Sequence, residues 1–283
     1  MPINRELKAV IDSTCDLPPM PLVANRIVSL ASDPNTDARV LERAILADQA
    51  LTAKILKIAN SSFYGCIRAI NTLAAAIVLI GFKGIRTLAL AASLESFYRR
   101  INLIEKMLWE HSVASAIAAH ILSQKLHCHA EEAFIGGLMH DIGKVILNNQ
   151  LNEDFSEIVQ VAYNEDIPFV EAEREKLGFT HAEVGGLIVQ KWNLSKDLEE
   201  AVTYHHNLDG VDPLEVEILK FAALLNLSDA ICIYLGIGYR QPRTDIDFQA
   251  LKSVQILGIT GLDILQLAEN VKTSYEAEKG NFS

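Results

Sequence analysis

A histidine–aspartate pair, His140–Asp141, stands in the middle of the apolar run AFIGGLMHDIGKVIL, and further histidines at His111, His181, His205 and His206 occupy other segments. No other feature constrains the fold as strongly. A buried charge without a partner costs several kcal/mol or more, so any arrangement that buries this run must bring partners to the pair. One metal ion would satisfy many such groups at once.

The chain has 283 residues, enough for one large domain or two of ordinary size with a real core. Half of its residues are hydrophobic and 22% are charged, the balance of a folded globular protein. A net charge of −11 argues against general nucleic-acid binding, which needs clustered Lys and Arg. A small phosphorylated ligand remains compatible, because metals and a few basic residues can reverse the sign locally. Cys15, Cys66, Cys128 and Cys232 are scattered without CxxC spacing. They read as reduced thiols of a cytoplasmic protein. The N-terminal MPINRELKAVIDST has no signal-peptide core.

Helical periodicity dominates and period-2 strands are absent, so the expected class is all-α with short connections. The pattern predicts helices over Leu22–Ser32, then to about Leu46, then Ala50–Ala59, with Gly65, Gly81 and Gly84 separating short apolar helices that run to about Tyr98. The break Arg99-Arg100-Ile101-Asn102 suggests a boundary between an N-terminal helical subdomain, 1–100, and a second helical domain, 101–283. Predicted helices in the second part are Leu103–Leu126, Ala130–Asn148, Leu151–Asn164, Pro168–Leu177, Ala182–Trp192, Asp197–His205, Leu214–Leu235 and Leu262–Tyr275. The most membrane-like stretch, Phe221–Tyr239, carries Asp229 near its centre. Insertion would cost roughly 2.5–3.5 kcal/mol for that residue alone, so a buried core helix is expected and membrane insertion is not.

His111 lies in a helix whose inward positions are Leu, Val, Ala and Ile. Alone it would read as a core histidine bonded to a carbonyl. On one helix His140 and Asp141 would leave about 100° apart, which suits ligands straddling a metal with a bridging carboxylate. Gly136 and Gly137, within a turn of the pair, each cost roughly 1 kcal/mol against Ala and suggest a closely packed neighbouring helix. Thr180-His181-Ala182-Glu183 fits a capping box, with Thr180 as N-cap and His181 the first helical residue. His205-His206 ends the next helix, where a dipole role is the plain alternative. Asp229 sits among Leu225, Leu227, Ala230 and Ile231 with no adjacent Lys or Arg, so its counter-charge must come from elsewhere in the fold.

Seven potential ligands, His111, His140, Asp141, His181, His205, His206 and Asp229, exceed what one ion takes. Two ions bridged by Asp141 are therefore expected. The imidazole–carboxylate mix suits iron, manganese, zinc or cobalt and disfavours magnesium and calcium. Iron and manganese come first. Lys144, one turn beyond Asp141, is placed to approach a phosphate, though a solvent-facing lysine is an equal alternative.

The set His111, His140-Asp141 and Asp229 resembles the signature of the HD phosphohydrolase superfamily, and His181 with His205-His206 resembles the fuller set of the HD-GYP phosphodiesterases. LPPMPLVANRIVSLASDP, ADQALTAKILKIANSSFYG and IVLIGFKGIRTLAL make nearly the whole chain, about Leu17 to Ala268, similar to the HDOD family of HD-related output domains in bacterial signalling. HDOD domains often lack several metal-binding residues and act as regulatory modules, whereas every position is kept here. The segment NLDGVDP after His206 lacks the Glu and the Gly-Tyr of the HD-GYP loop, and position 107 is Met rather than a third-metal Glu.

The resemblance implies two ions, one held by His111, His140, Asp141 and Asp229, the other by Asp141, His181, His205 and His206. Asp141 and Lys144 would be catalytic in a phosphohydrolase or phosphodiesterase acting on a nucleotide-like phosphoester. The alternatives are a non-catalytic signalling module, with metal structural or sensory, and a di-iron oxygenase. Expected partners are a small phosphorylated ligand or a signalling protein docking near Ala59-Asn60-Ser61-Ser62-Phe63-Tyr64-Gly65. The oligomeric state stays open.

Overall fold

The structure, a computed structural model, describes residues 5–60, 70–98, 103–128, 132–239 and 241–282. Among these, every regular element is helical and no strand occurs, as the periodicity predicts. In chain order the α-helices are α1 Arg5–Thr14, α2 Leu22–Ser32, α3 Ala38–Leu46, α4 Gln49–Ala59, α5 Leu73–Leu94, α6 Leu103–Leu126, α7 Ala133–Met139 and α8 Ile142–Gln150. They continue with α9 Asn152–Glu165, α10 Phe169–Leu177, α11 His181–Lys191, α12 Lys196–Tyr204, α13 Val216–Leu235, α14 Lys252–Leu257 and α15 Gly261–Glu278.

Helix starts follow local chemistry. Side chains of Asp37, Asp48, Thr72, Ser195 and Thr260 each accept a backbone N–H of the first turn. Thr180 and Glu183 complete the reciprocal box expected ahead of α11. Helices α1 and α14 have no counterpart among the predicted elements. Both are short, and α14 has six residues, too few to show a period.

The largest departure is at the centre. The single helix expected over Ala130–Asn148 is two, α7 and α8, parted at His140 and Asp141, where Asp141 has φ −102° and ψ 11°. The pair therefore sits at a corner rather than on one helical face. The break turns Asp141 into the first residue before α8, with its side chain free of capping duty.

Apolar residues from both halves, from Ile11 to Phe282, form one continuous core. The proposed boundary residues 99–102 lie outside the described residues, as do Gly65, Cys66 and the segment Ser61–Gly65. Among the described residues two helices, Leu73–Leu94 and Val216–Leu235, are long and apolar enough to cross a membrane by length and composition. The first bends at Gly81 (φ 76°, ψ 172°), and the second carries Asp229 within its buried face.

Two close approaches position the corner. A Cβ on Gly137 would overlap the backbone of Ser115 and Ala116, so α7 crosses α6 in near backbone contact beside His111. A Cβ on Gly143 would overlap the main chain of His181, which brings the start of α8 onto the start of α11. The glycine signal next to the pair thus marks a tight helix crossing.

Candidate metal centre

Five segments supply the seven side chains, and the structure brings all of them together. His111 comes from the middle of α6, His140 and Asp141 from the α7–α8 corner, His181 from the first residue of α11, His205 and His206 from the end of α12, and Asp229 from α13. Their donor atoms form two groups: His111, His140 and Asp229, and Asp141, His181, His205 and His206, with the atoms of each group within 4.8 Å of one another.

Asp141 joins the groups. One oxygen, Oδ1, lies 3.0 Å from His181 Nε2 and 4.0 Å from His205 Nε2. The other, Oδ2, lies 3.7 Å from His111 Nε2 and 3.5 Å from His140 Nε2. Asp229 Oδ1 completes the first group, 3.0 Å from His111 Nε2 and 3.9 Å from His140 Nε2. The His205 and His206 rings are 4.0 Å apart, and the His181 and His206 rings 5.1 Å.

The orientation of the rings is as informative as their positions. His140 Nδ1 donates to the Gly137 carbonyl at 2.7 Å, and His205 Nδ1 donates to the Val202 carbonyl at 2.7 Å. His181 Nδ1 donates to the Glu173 carboxylate at 2.7 Å, and His111 Nδ1 pairs with the Ile237 carbonyl at 3.2 Å. For His140 and His205 the bond places the proton on Nδ1 and leaves Nε2 with a lone pair facing the shared centre, whereas His111 Nε2 lies 3.0 Å from Asp229 Oδ1 and His181 Nε2 3.0 Å from Asp141 Oδ1. The Nε2 atoms of His140 and His205 are buried without a hydrogen-bond partner, and His181 Nε2 and Asp141 Oδ1 have only each other, at 3.0 Å. Buried polar atoms left unsatisfied are rare and call for an explanation. A ligating histidine characteristically donates its other ring N–H to a carbonyl or carboxylate, which is the pattern found here.

The charge balance fits the same donors. Burial, reinforced for His205 and His206 by neighbouring imidazoles, lowers the pKa of His140, His205 and His206, the last to about 3. These rings are neutral at physiological pH, the form that coordinates metal. Burial alone would raise Asp141, but His140, Lys144 and His181 outweigh it and hold the carboxyl well below its usual range. Asp229 is likewise held down against burial, by His111 above all. His181 goes the other way, because the Glu173 carboxylate outweighs its burial and raises it. The donor set therefore fits a metal: neutral imidazoles on His140, His205 and His206, ionised carboxylates on Asp141 and Asp229, and unused lone pairs in one place.

Lys144 is 4% exposed, so it is not the solvent-facing lysine of the plain reading. Its Nζ lies 2.7 Å from Asp141 Oδ2 and 4.9 Å over the ring of Phe169. Burial pulls its pKa down, but Asp141 outweighs that and keeps it cationic. A small apolar cavity of about 50 Å³ opens onto His111, Asp141 and Lys144, walled by Phe155, Tyr163, Phe169 and Tyr239 among others. Tyr163 meets Phe169 edge-to-face and lies 6.2 Å from Tyr239 between ring centres.

Sequence reasoning missed Glu173, Tyr239 and the Ile237 carbonyl. Glu173 sits in EAEREKLG, which reads as an ordinary solvated face, yet it is fully buried. Tyr239 follows α13 in a loop with no motif around it.

Comparison with known proteins places this architecture. Residues 17–208 match the HDOD domain family. A protein of Treponema pallidum (strain Nichols) with no assigned function is 23% identical over 277 residues, covering 96% of this chain and 52% of that protein. The chain thus spans about half the length of this curated relative. Among solved structures, an HDOD domain protein of unknown function from Geobacter sulfurreducens superposes with a TM-score of 0.77 at 23% identity, covering 97% of this chain and 95% of that one. A candidate phosphohydrolase from Shewanella amazonensis SB2B gives a TM-score of 0.75 at 20% identity, covering 99% and 98%. At these identities the structures establish a shared fold.

Proposed function

The chain belongs to the HDOD family, and from that membership and the geometry of the site we propose that it is a signalling protein whose His–Asp cluster holds two transition-metal ions and hydrolyses a small phosphoester. The observation that carries this reading is the set of buried Nε2 atoms on His140, His181 and His205, turned by their Nδ1 bonds toward the Asp141 carboxylate, with those of His140 and His205 lacking a hydrogen-bond partner. His111, His140, Asp229 and Asp141 would hold one ion; His181, His205, His206 and Asp141 the other. Iron or manganese suits this nitrogen–oxygen donor mix best. Bound ions would supply Lewis acidity toward a phosphoryl oxygen and a more acidic water at neutral pH.

The chain's own residues divide the remaining work. Asp141 presents one oxygen to each group and so fixes the spacing between them. Lys144 stays cationic at the base of the cavity, where it can leave Asp141 for an anionic phosphate oxygen as a mobile point charge. Phe155, Tyr163, Phe169 and Tyr239 exclude water from one side of the site and offer apolar faces to the rest of a ligand. A cavity of about 50 Å³ is far below the roughly 300–1,000 Å³ usual for ligand pockets, so a compact substrate suits the site better than a cyclic dinucleotide.

That tight closure also favours a second reading, a regulatory module in which the metal is structural or sensory and the N-terminal half, 1–100, binds a partner. One experiment separates the two. Metal content is measured on the purified protein, and turnover of p-nitrophenyl phosphate and bis(p-nitrophenyl) phosphate is followed with and without chelator. Turnover lost on chelation supports the hydrolase. A metal-replete protein that cleaves neither ester supports the module.

A further inference from the structure

Glu173, on α10, is a buried carboxylate with no place in the chemistry above. It is 0% exposed, and both hydrogen bonds of its Oε2 go to one residue: the His181 backbone N–H at 2.8 Å and His181 Nδ1 at 2.7 Å. Its other oxygen, Oε1, has no hydrogen-bond partner. A charge is not buried in this way without a large offset.

The two ligand groups differ in what stands behind them. The group of His111, His140 and Asp229 contains a carboxylate of its own, beyond the shared Asp141. The group of His181, His205 and His206 has three imidazoles and only Asp141. Glu173 supplies the missing carboxylate one bond back, through the ring of His181. The other three oriented imidazoles, His111, His140 and His205, lean instead on neutral main-chain carbonyls.

A purely structural role for Glu173 would be to cap α11. That helix already has a complete capping box from Thr180 and Glu183, with the Thr180 N–H donating to Glu183 at 2.8 Å. On α10, Ala172 packs on Ile158 and Ala162 of α9, and Leu177 on the main core. Nothing in that packing asks for a carboxylate pointing the other way.

We propose that Glu173 is a positioning residue for the metal position formed by Asp141, His181, His205 and His206, fixing the ring of His181 and adding a second negative charge to that of the shared Asp141. The inference rests on the reading of the cluster as a metal centre. It also ties α10 to the centre twice, since Phe169 at the start of the same helix covers Lys144.

Glu173→Gln tests it, because glutamine keeps an acceptor for the His181 N–H but removes the charge. The measurement is manganese or zinc stoichiometry and affinity by chelator competition, alongside the melting temperature of the metal-free protein. Expected is a loss of about 10–100-fold in affinity at one of two positions, with metal-free stability close to wild type. His181→Ala, which removes the ligand itself, should lose at least as much at the same position, and the double variant should lose no more than His181→Ala alone. Two results overturn the proposal: full retention of both ions by Glu173→Gln, or a loss of metal-free stability equally large in the wild-type and His181→Ala backgrounds. The second would make the carboxylate a helix cap rather than a partner of the imidazole. Wild-type protein that binds no metal overturns this proposal and the metal centre together. Wild-type protein that holds two ions without turnover sinks only the hydrolase reading.

Discussion

His111 Nε2 and Asp229 Oδ1 meet at 3.0 Å although 118 positions separate them in the chain. The contact links α6 to α13, two helices whose other buried residues are mostly apolar, and it gives the ionised Asp229 a partner from outside its own helix. Removing one partner of a buried pair is costly, about 3–5 kcal/mol, because the other is left uncompensated.

Asp229→Ala should therefore lower stability and metal content together. A ligand at about 100 times its Kd stabilises the folded state by about 2.7 kcal/mol, so wild-type protein should melt several degrees higher when metal-loaded than when stripped. In Asp229→Ala that gap should shrink. Scanning calorimetry on loaded and chelated samples checks this, and an unchanged gap would make Asp229 a structural polar residue.

The crossings at Gly137 and Gly143 predict a second effect. A methyl group at either site meets backbone, which cannot swing aside, and overpacking of this kind costs about 1–3 kcal/mol or more. Gly143→Ala should also reduce metal content, because the displaced main chain is that of His181. Gly280→Ala, where nothing lies within 4 Å, is the neutral control. Denaturant midpoints and metal analysis read both outcomes.

These glycines show how far the sequence could be read. Gly136 and Gly137 beside an apolar His-Asp pair announced a tight crossing, and the seven polar residues announced themselves by standing in apolar company. Helices such as α2 and α13 were legible for the same reason, long runs of one period. The corner at His140–Asp141 was not, because a turn between two apolar helices leaves the pattern of apolar residues nearly unbroken. Glu173 was hidden for the opposite reason. Its neighbours Glu171, Arg174, Glu175 and Lys176 are what an exposed helix carries, and only the tertiary contact with His181 distinguishes it.

Acid should weaken the metal-free protein. His140, His205 and His206 have lowered pKa values in the fold, so below the ordinary imidazole value of about 6.5 the unfolded chain binds more protons. Their contribution is present at neutral pH and lost as the pH falls. Asp141 and Asp229, also lowered, add a further loss as the pH falls through the carboxylate range near about 4. His181 is raised and opposes this, its contribution fading instead as the pH rises. Three lowered histidines against one raised predict a falling melting temperature between about pH 7 and pH 5. A flat or rising profile for the chelated protein would contradict it.

Burial pushes the Cys15 thiol up to about 11 and the Cys232 thiol up to about 12. The thiolate is the reactive form, so both should resist alkylation in the native state and react fully after denaturation. Site-resolved mass spectrometry after a brief iodoacetamide pulse reads each cysteine separately. Native modification of Cys232 at the denatured rate would contradict the packing of α13.

The central claim is a two-ion centre bridged by Asp141. Crystals of manganese- or iron-loaded protein, measured at the metal absorption edge, test it most directly. The account predicts two anomalous peaks on either side of the Asp141 carboxylate, one among His111, His140 and Asp229, the other among His181, His205 and His206. A single peak, or none in protein soaked with excess metal, would contradict it.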